Sequence, residues 1–280
     1  MTTFLKMHGL GNDFAVFDAR NQSLALDAAT ARALADRRFG VGCDQVIVIE
    51  RATNGADAFM RIYNSDGGEV ESCGNAARCI AGLLIGETGA ANIKLDTTGG
   101  ALVCKSVGAN VSVDMGVPKF GWREIPMTRE TDTLSFPIEI PGSDLYALNI
   151  ATAANVGNPH VVLFVDDAGT APVAELGPKI EHHSLFPERT NVEFVTLTGK
   201  DKLRMRVWER GAGITMACGT GACAAMVAAH RRGLVGHKAE VVLDGGSLTV
   251  EWAGEDRPVI MTGPWSLSYK GDIDLKAWRS

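Results

Sequence analysis

Two similar domains of the α+β class, each with a mostly antiparallel sheet, are what this 280-residue sequence predicts. One observation is the excess of strand signals over helical ones, with turn residues at regular intervals. Another is an internal repeat: MRIYNSDGGEVESCG (60–74) lies over MRVWERGAGITMACG (205–219) without a gap. The third is composition. With 46% hydrophobic and 21% charged residues the chain can build ordinary cores without staples.

In chain order, short β-rich or alternating runs mark strands at 14–19 (FAVFDA), 45–50 (QVIVIE), 59–64 (FMRIYN), 92–97 (NIKLDT) and 110–115 (NVSVDM). The second half repeats the theme at 134–140, 160–166, 192–197, 203–209, 240–244, 247–252 and 258–263. Helices are expected at 27–38, 74–86, 172–183 and 219–232. The repeat places Arg61 on Arg206, Tyr63 on Trp208, Gly68 on Gly213 and Cys73 on Cys218, an offset of 145 residues. Gly11-Asn12 over Gly157-Asn158, Phe39 over Phe186, and Gly99-Gly100 over Gly245-Gly246 keep nearly the same offset. Pro118 and Pro264 each close a repeat after a strand. The expected domains are therefore 1–117 with 264–280, and 118–263.

Several classes of function are disfavoured. A net charge of −6 argues against nucleic acid or an anionic membrane as the main partner, and leaves room for a small zwitterion. No signal peptide or run of ~20 apolar residues is visible, so a cytoplasmic, non-membrane protein is expected. Six cysteines without CxxC or zinc-ligand spacing indicate reduced thiols and no metal site.

The repeated cysteines carry the chemistry. Each half runs strand, polar glycine-containing loop, Cys-Gly, then a small-residue helix. A thiol at a helix N-terminus feels the positive end of the macrodipole, which is expected to lower its pKa. The free N–H groups there form an anion site, and two such ends facing each other would hold one carboxylate between two thiols. A thiolate and a thiol suit inversion of a carbon bearing an acidic hydrogen: one removes the proton and the other delivers it to the opposite face. Asn64 against Glu209 and Ser65 against Arg210 break the symmetry, as a substrate with two different ends requires. Cys43, Cys79, Cys104 and Cys223 read as core filler.

NSDGGEVESCGNAARC, RVWERGAGITMACGTGACAA, HGLGNDF, NVGNPH and RTNVEF together resemble the diaminopimelate epimerase family, in order from Lys6 to about Gly263. Ser72 and Ala76 stand where the family more often has Met and Gly. The resemblance implies a β-barrel-like sheet around a central helix in each domain. It also implies interconversion of LL- and meso-diaminopimelate without pyridoxal phosphate or another cofactor, in lysine and peptidoglycan synthesis, by a homodimer. It assigns Cys73 and Cys218 as the catalytic pair, and His160 and Glu209 as assisting groups. Gly74, Asn75, Gly219 and Thr220 become carboxylate donors. Asn12, Gln45, Asn64, Asn158, Asn191, Glu209 and Arg210 become the other substrate contacts. Proline, hydroxyproline or histidine racemases of the same fold are the nearest alternatives. A thiol hydrolase would leave the duplication idle, and a binding module would tolerate alkylation of both thiols.

Overall fold

A computed structural model describes residues 1–24, 26–140 and 150–275. The chain divides into two compact units, Met1–Val113 with Thr262–Ser280, and Asp114–Met261. The divisions fall a few residues ahead of the two prolines.

The first unit contains β1 (Thr2–Gly9), β2 (Asn12–Asp18), α1 (Ala28–Ala35), β3 (Gln45–Glu50), β4 (Ala58–Asn64), β5 (Glu69–Val70), α2 (Gly74–Thr88), β6 (Asn92–Thr97), β7 (Gly100–Val107) and β8 (Asn110–Asp114). β1 and β2 form an antiparallel hairpin closed by Leu10 and Gly11, both at positive φ (58° and 87°), the conformation a two-residue primed turn needs. β2 then pairs with β3 in parallel, and β4 with β6 in parallel. A parallel pair needs a crossover connection, and α1 and α2 are those crossovers. The joints β3–β4, β4–β5, β6–β7 and β7–β8 are antiparallel.

The second unit has the same order. After a short β9 (Phe136–Pro137) come β10 (Ile150–Asn155), β11 (Pro159–Phe164), α3 (Val173–Glu181), β12 (Asn191–Gly199), β13 (Lys202–Glu209), β14 (Gly213–Ile214), α4 (Gly219–Arg231), β15 (Lys238–Leu243), β16 (Gly246–Trp252) and β17 (Val259–Gly263). Its parallel joints, β11–β12 and β13–β15, again straddle helices. A last strand, β18 (Ser266–Ile273), returns to the first unit and pairs antiparallel with β1.

All four expected helices form. α2 and α4 are buried nearly all round along their first ten residues, the signature of a helix enclosed by its own unit. α4 packs on β10, β11, β12, β13, β15 and β16, so the sheet curls around it. Small residues permit this closeness. A Cβ added at Gly82 of α2 would lie 2.2 Å from the Trp265 ring.

Four full strands lie outside the sequence expectation: β1, β7, β10 and β18. β7 and β18 are largely exposed, and β18 lacks an apolar run. β10, IATAAN, is rich in alanine, a poor strand former, and is held by its neighbours rather than by propensity. Of the strand expected over 134–140, only Phe136 and Pro137 pair, with Ala151 and Ile150. Pro137 has no N–H to extend the ladder.

Candidate active site

In the first unit the polar residues gather at the start of α2. Cys73 is its N-cap, in extended backbone (φ −148°, ψ 112°), and Sγ accepts the Ala76 N–H at 3.5 Å. A polar group at this position satisfies a helix-end donor that would otherwise point at solvent. Cys73 is half-buried. Asn12 follows the β1–β2 turn, and its Oδ1 lies 3.9 Å from Cys73 Sγ and accepts from Asn75 Nδ2 at 3.1 Å.

The Asn12 amide is oriented from behind. Its Nδ2 donates to Asp44 Oδ2 at 2.9 Å. Asp44 in turn accepts from Arg37, which also bonds Asp13 at 2.7 Å, and Asp13 pairs with Lys6 at 2.5 Å. Burial alone would raise the Asp13 pKa, but hydrogen bonds from Arg37 and Lys6 bring it down to about 2. Gln45 and Asn64 are cross-strand partners, with Gln45 Nε2 donating to Asn64 Oδ1 at 2.9 Å. Gln45 Oε1 is buried and has no partner among the described residues.

The second unit builds the same corner around Cys218, the N-cap of α4 (φ −113°, ψ 111°). Its Sγ accepts the Gly221 N–H at 3.3 Å and lies 3.5 Å from Thr220 Oγ1. Glu209, at the end of β13, accepts from Thr215 Oγ1, and its carboxyl is one of the two whose charge raises Cys218. Burial pushes the Glu209 carboxyl pKa upward.

Here the expectation of a lowered thiol pKa fails. Cys218 is only 4% exposed, and its pKa is raised well above that of an ordinary thiol. Burial is the main cause, followed by the carboxyls of Glu209 and Glu193; Thr220 and the Gly221 N–H oppose it too weakly. The core cysteines behave as expected of filler, with burial raising Cys43 to about 11 and Cys79 to about 12.

The remaining predicted residues divide between Cys218 and the neighbouring strands. His160 Nε2 lies 2.7 Å from Asn158 Oδ1, and Nδ1 lies 2.7 Å from Glu193 Oε1. Asn191 spans two elements: Nδ2 donates to Pro159 O, and Oδ1 accepts the Arg210 N–H at 2.9 Å. The Arg210 guanidinium bonds Glu188 O at 3.2 Å. Gly74 and Gly219 open their helices directly behind the thiols.

Sequence reasoning missed four supporting residues: Asp44 behind Asn12, Thr215 beside Glu209, Glu193, and Glu181. Buried Glu181 accepts from Trp208 Nε1 at 2.7 Å and from the Gly211 N–H at 3.0 Å, anchoring the turn that carries Glu209 and Arg210. For Glu193 a signal existed, a lone acid inside the apolar run NVEFV.

Among the described residues no group of three or more His, Cys, Asp or Glu could hold a metal ion, and no described helix is long and apolar enough to cross a membrane.

The duplicated mixed sheet, with a central helix in each unit, is a fold this chain shares with solved structures of several different activities. A probable proline racemase from Agrobacterium radiobacter K84 superposes with a TM-score of 0.66 at 17% identity, covering 98% of this chain and 93% of that one. A PhzF-family phenazine biosynthesis protein of Bacillus anthracis gives 0.69 at 16% identity, covering 98% and 99%. The chain belongs to the diaminopimelate epimerase family, whose model matches residues 4–121 and 152–268. Diaminopimelate epimerase of Erythrobacter litoralis is 54% identical across 97% of both chains. That of Acidiphilium cryptum is 51% identical across 97% of this chain and 96% of its own.

Proposed function

We propose that the chain interconverts LL- and meso-2,6-diaminopimelate by removing and restoring the α-hydrogen, with Cys73 and Cys218 as the two bases and no pyridoxal phosphate. The observation that carries this reading is the paired cap: in a chain of this family, each unit ends its polar loop in a thiol whose sulfur accepts an N–H of the helix that follows.

In one direction Cys73 removes the α-proton as base and Cys218 delivers a proton to the opposite face as acid. Roles alternate in the reverse direction. Backbone N–H groups at Gly74-Asn75 and Gly219-Thr220 hold the α-carboxylate, where positive helix ends also stabilise charge as the carbanion forms. Glu209, whose charge acts on the Cys218 thiol, assists its proton transfers, and His160 supplies the second assisting group. Asn12, Gln45, Asn64, Asn158, Asn191, Glu209 and Arg210 contact the remaining amino-acid groups. The unpaired Gln45 Oε1 supports that part, because an ammonium would satisfy it. The two units serve as the two domains of a cytoplasmic homodimer whose partner is a small amino acid, without nucleic acid or membrane.

Incubation with LL-diaminopimelate in deuterated water, without added cofactor, tests the reading. Solvent deuterium at the α-carbon with inversion is expected. No exchange with diaminopimelate, alongside exchange with proline or histidine, would replace the substrate while keeping the fold.

A further inference from the structure

The duplication supplies an internal control for one buried pair. In the parallel joint of the second unit His160 is opposite Asn191, and in the first unit Phe14 is opposite Gln45. His160 therefore occupies the place of Phe14. Two residues along β12 and β3, Glu193 occupies the place of Ile47. All four side chains are fully buried. The fold closes this joint with two apolar residues in one unit and with an ionisable pair in the other. Replacing apolar side chains by a buried ionisable pair generally adds no stability, so the second unit does not need His160 and Glu193 in order to fold.

The pair is arranged for more than mutual neutralisation. With Asn158 Oδ1 accepting from His160 Nε2, one proton lies in the 2.7 Å contact between His160 Nδ1 and Glu193 Oε1. Glu193 Oε2 is buried and has no partner among the described residues. The carboxyl also lies against the start of α4. A Cβ added at Gly221 would sit 2.8 Å from Glu193 Oε1 and 3.2 Å from Cys218 Sγ, so only glycine leaves room for both.

We propose that Glu193 is a positioning residue of the epimerase reaction: its carboxyl fixes the tautomer and ring orientation of His160 beside Asn158, and the bare backbone of Gly221 lets it lie at the helix end that Cys218 caps. This inference rests on the proposed epimerase activity. Glu193 touches no substrate in this role; it acts through His160. A carboxyl bonded to a histidine Nδ1 holds the ring so that Nε2 faces one direction with one protonation pattern. Without it the ring can rotate and exchange tautomers, and turnover falls while substrate affinity is retained.

Three proteins test the inference: wild type, Glu193→Gln, and the double variant His160→Phe/Glu193→Ile that copies the first unit. In Glu193→Gln, kcat should fall by roughly 10- to 100-fold, with KM within about twofold and the pH profile of kcat altered. The imidazole 15N shifts of His160, which report the tautomer without turnover, should move in the same variant. The double variant should unfold at or above the wild-type denaturant midpoint and have lost turnover. Glu193→Gln with wild-type kcat, pH profile and 15N shifts would overturn the role of Glu193, as would a double variant that unfolds well below wild type. Wild-type protein that exchanges no α-hydrogen would instead refute the epimerase reading itself.

Discussion

Cys73 caps its helix half-exposed, with the amides of Asn12 and Asn75 beside it, whereas Cys218 is 4% exposed and shares its corner with Thr220, Glu209 and Glu193. The backbones around the two thiols are nearly the same: an N-cap in extended conformation, a sulfur accepting the N–H three residues on, and a small-residue helix. What differs is how deeply each sulfur is buried and which groups lie beside it. The same helix end that would favour a thiolate is outweighed at Cys218 by desolvation and two carboxyls. A duplicated frame thus sets where the two thiols stand in their units, and burial, with the carboxyls of Glu209 and Glu193, raises the proton affinity of Cys218.

The largest effects should come from removing either thiol. Cys73→Ala and Cys218→Ala are each expected to lower epimerisation by at least ~10³-fold, measured as loss of α-deuterium exchange. Full exchange in either variant would mean the two corners do not act as a pair. Next is the asymmetry itself. Iodoacetamide at moderately alkaline pH should modify Cys73 before Cys218, followed by peptide mass spectrometry. In Glu209→Gln one of the carboxyls that raise Cys218 is gone, so its alkylation should begin at lower pH, while kcat falls by about 10²-fold. An unchanged alkylation profile would show that burial alone governs Cys218.

Smaller effects probe the frame. Gly86→Ala on the exposed side of α2 should stabilise the protein by ~0.5–1 kcal/mol in urea titration, because no atom lies within 4 Å of the new Cβ. Gly82→Ala in the same helix should cost roughly 1–3 kcal/mol, since Trp265 fills that space. The smallest effect is acid sensitivity behind Asn12. Asp13 has a folded pKa of about 2, below its usual 3.8, so its contribution is present above pH ~4 and is lost as pH falls toward 2. Asp13→Asn should flatten that part of the stability curve.

Much of this frame is legible in the sequence because its signals are local. Long apolar runs such as QVIVIE become buried strands, and the small-residue segments after Cys73 and Cys218 become helices. β10 escapes notice because alanines in IATAAN form a strand only where neighbouring strands and α4 enclose them. β18 escapes because its pairing with β1 is made across nearly the whole chain. In the candidate site the cysteines stand out through the repeat, while the asparagines emerge only through resemblance to a family. Glu193 stands out as an acid within NVEFV, but its partner His160 is legible only once the neighbouring strand is known.

The sequence alone determined the duplication, most of its strands and its four helices, and a cysteine at the start of each central helix. Those features depend on propensity and on residues within a turn of one another. Only the tertiary structure decided the chemistry between distant residues. His160 and Glu193 are 33 positions apart and meet because β11 and β12 pair in parallel across α3. Cys218 holds its proton because the sheet that wraps α4 removes water from it and brings Glu193 and Glu209 alongside. Proton affinity depends on what surrounds a group in space, and the order of residues along a chain does not state that.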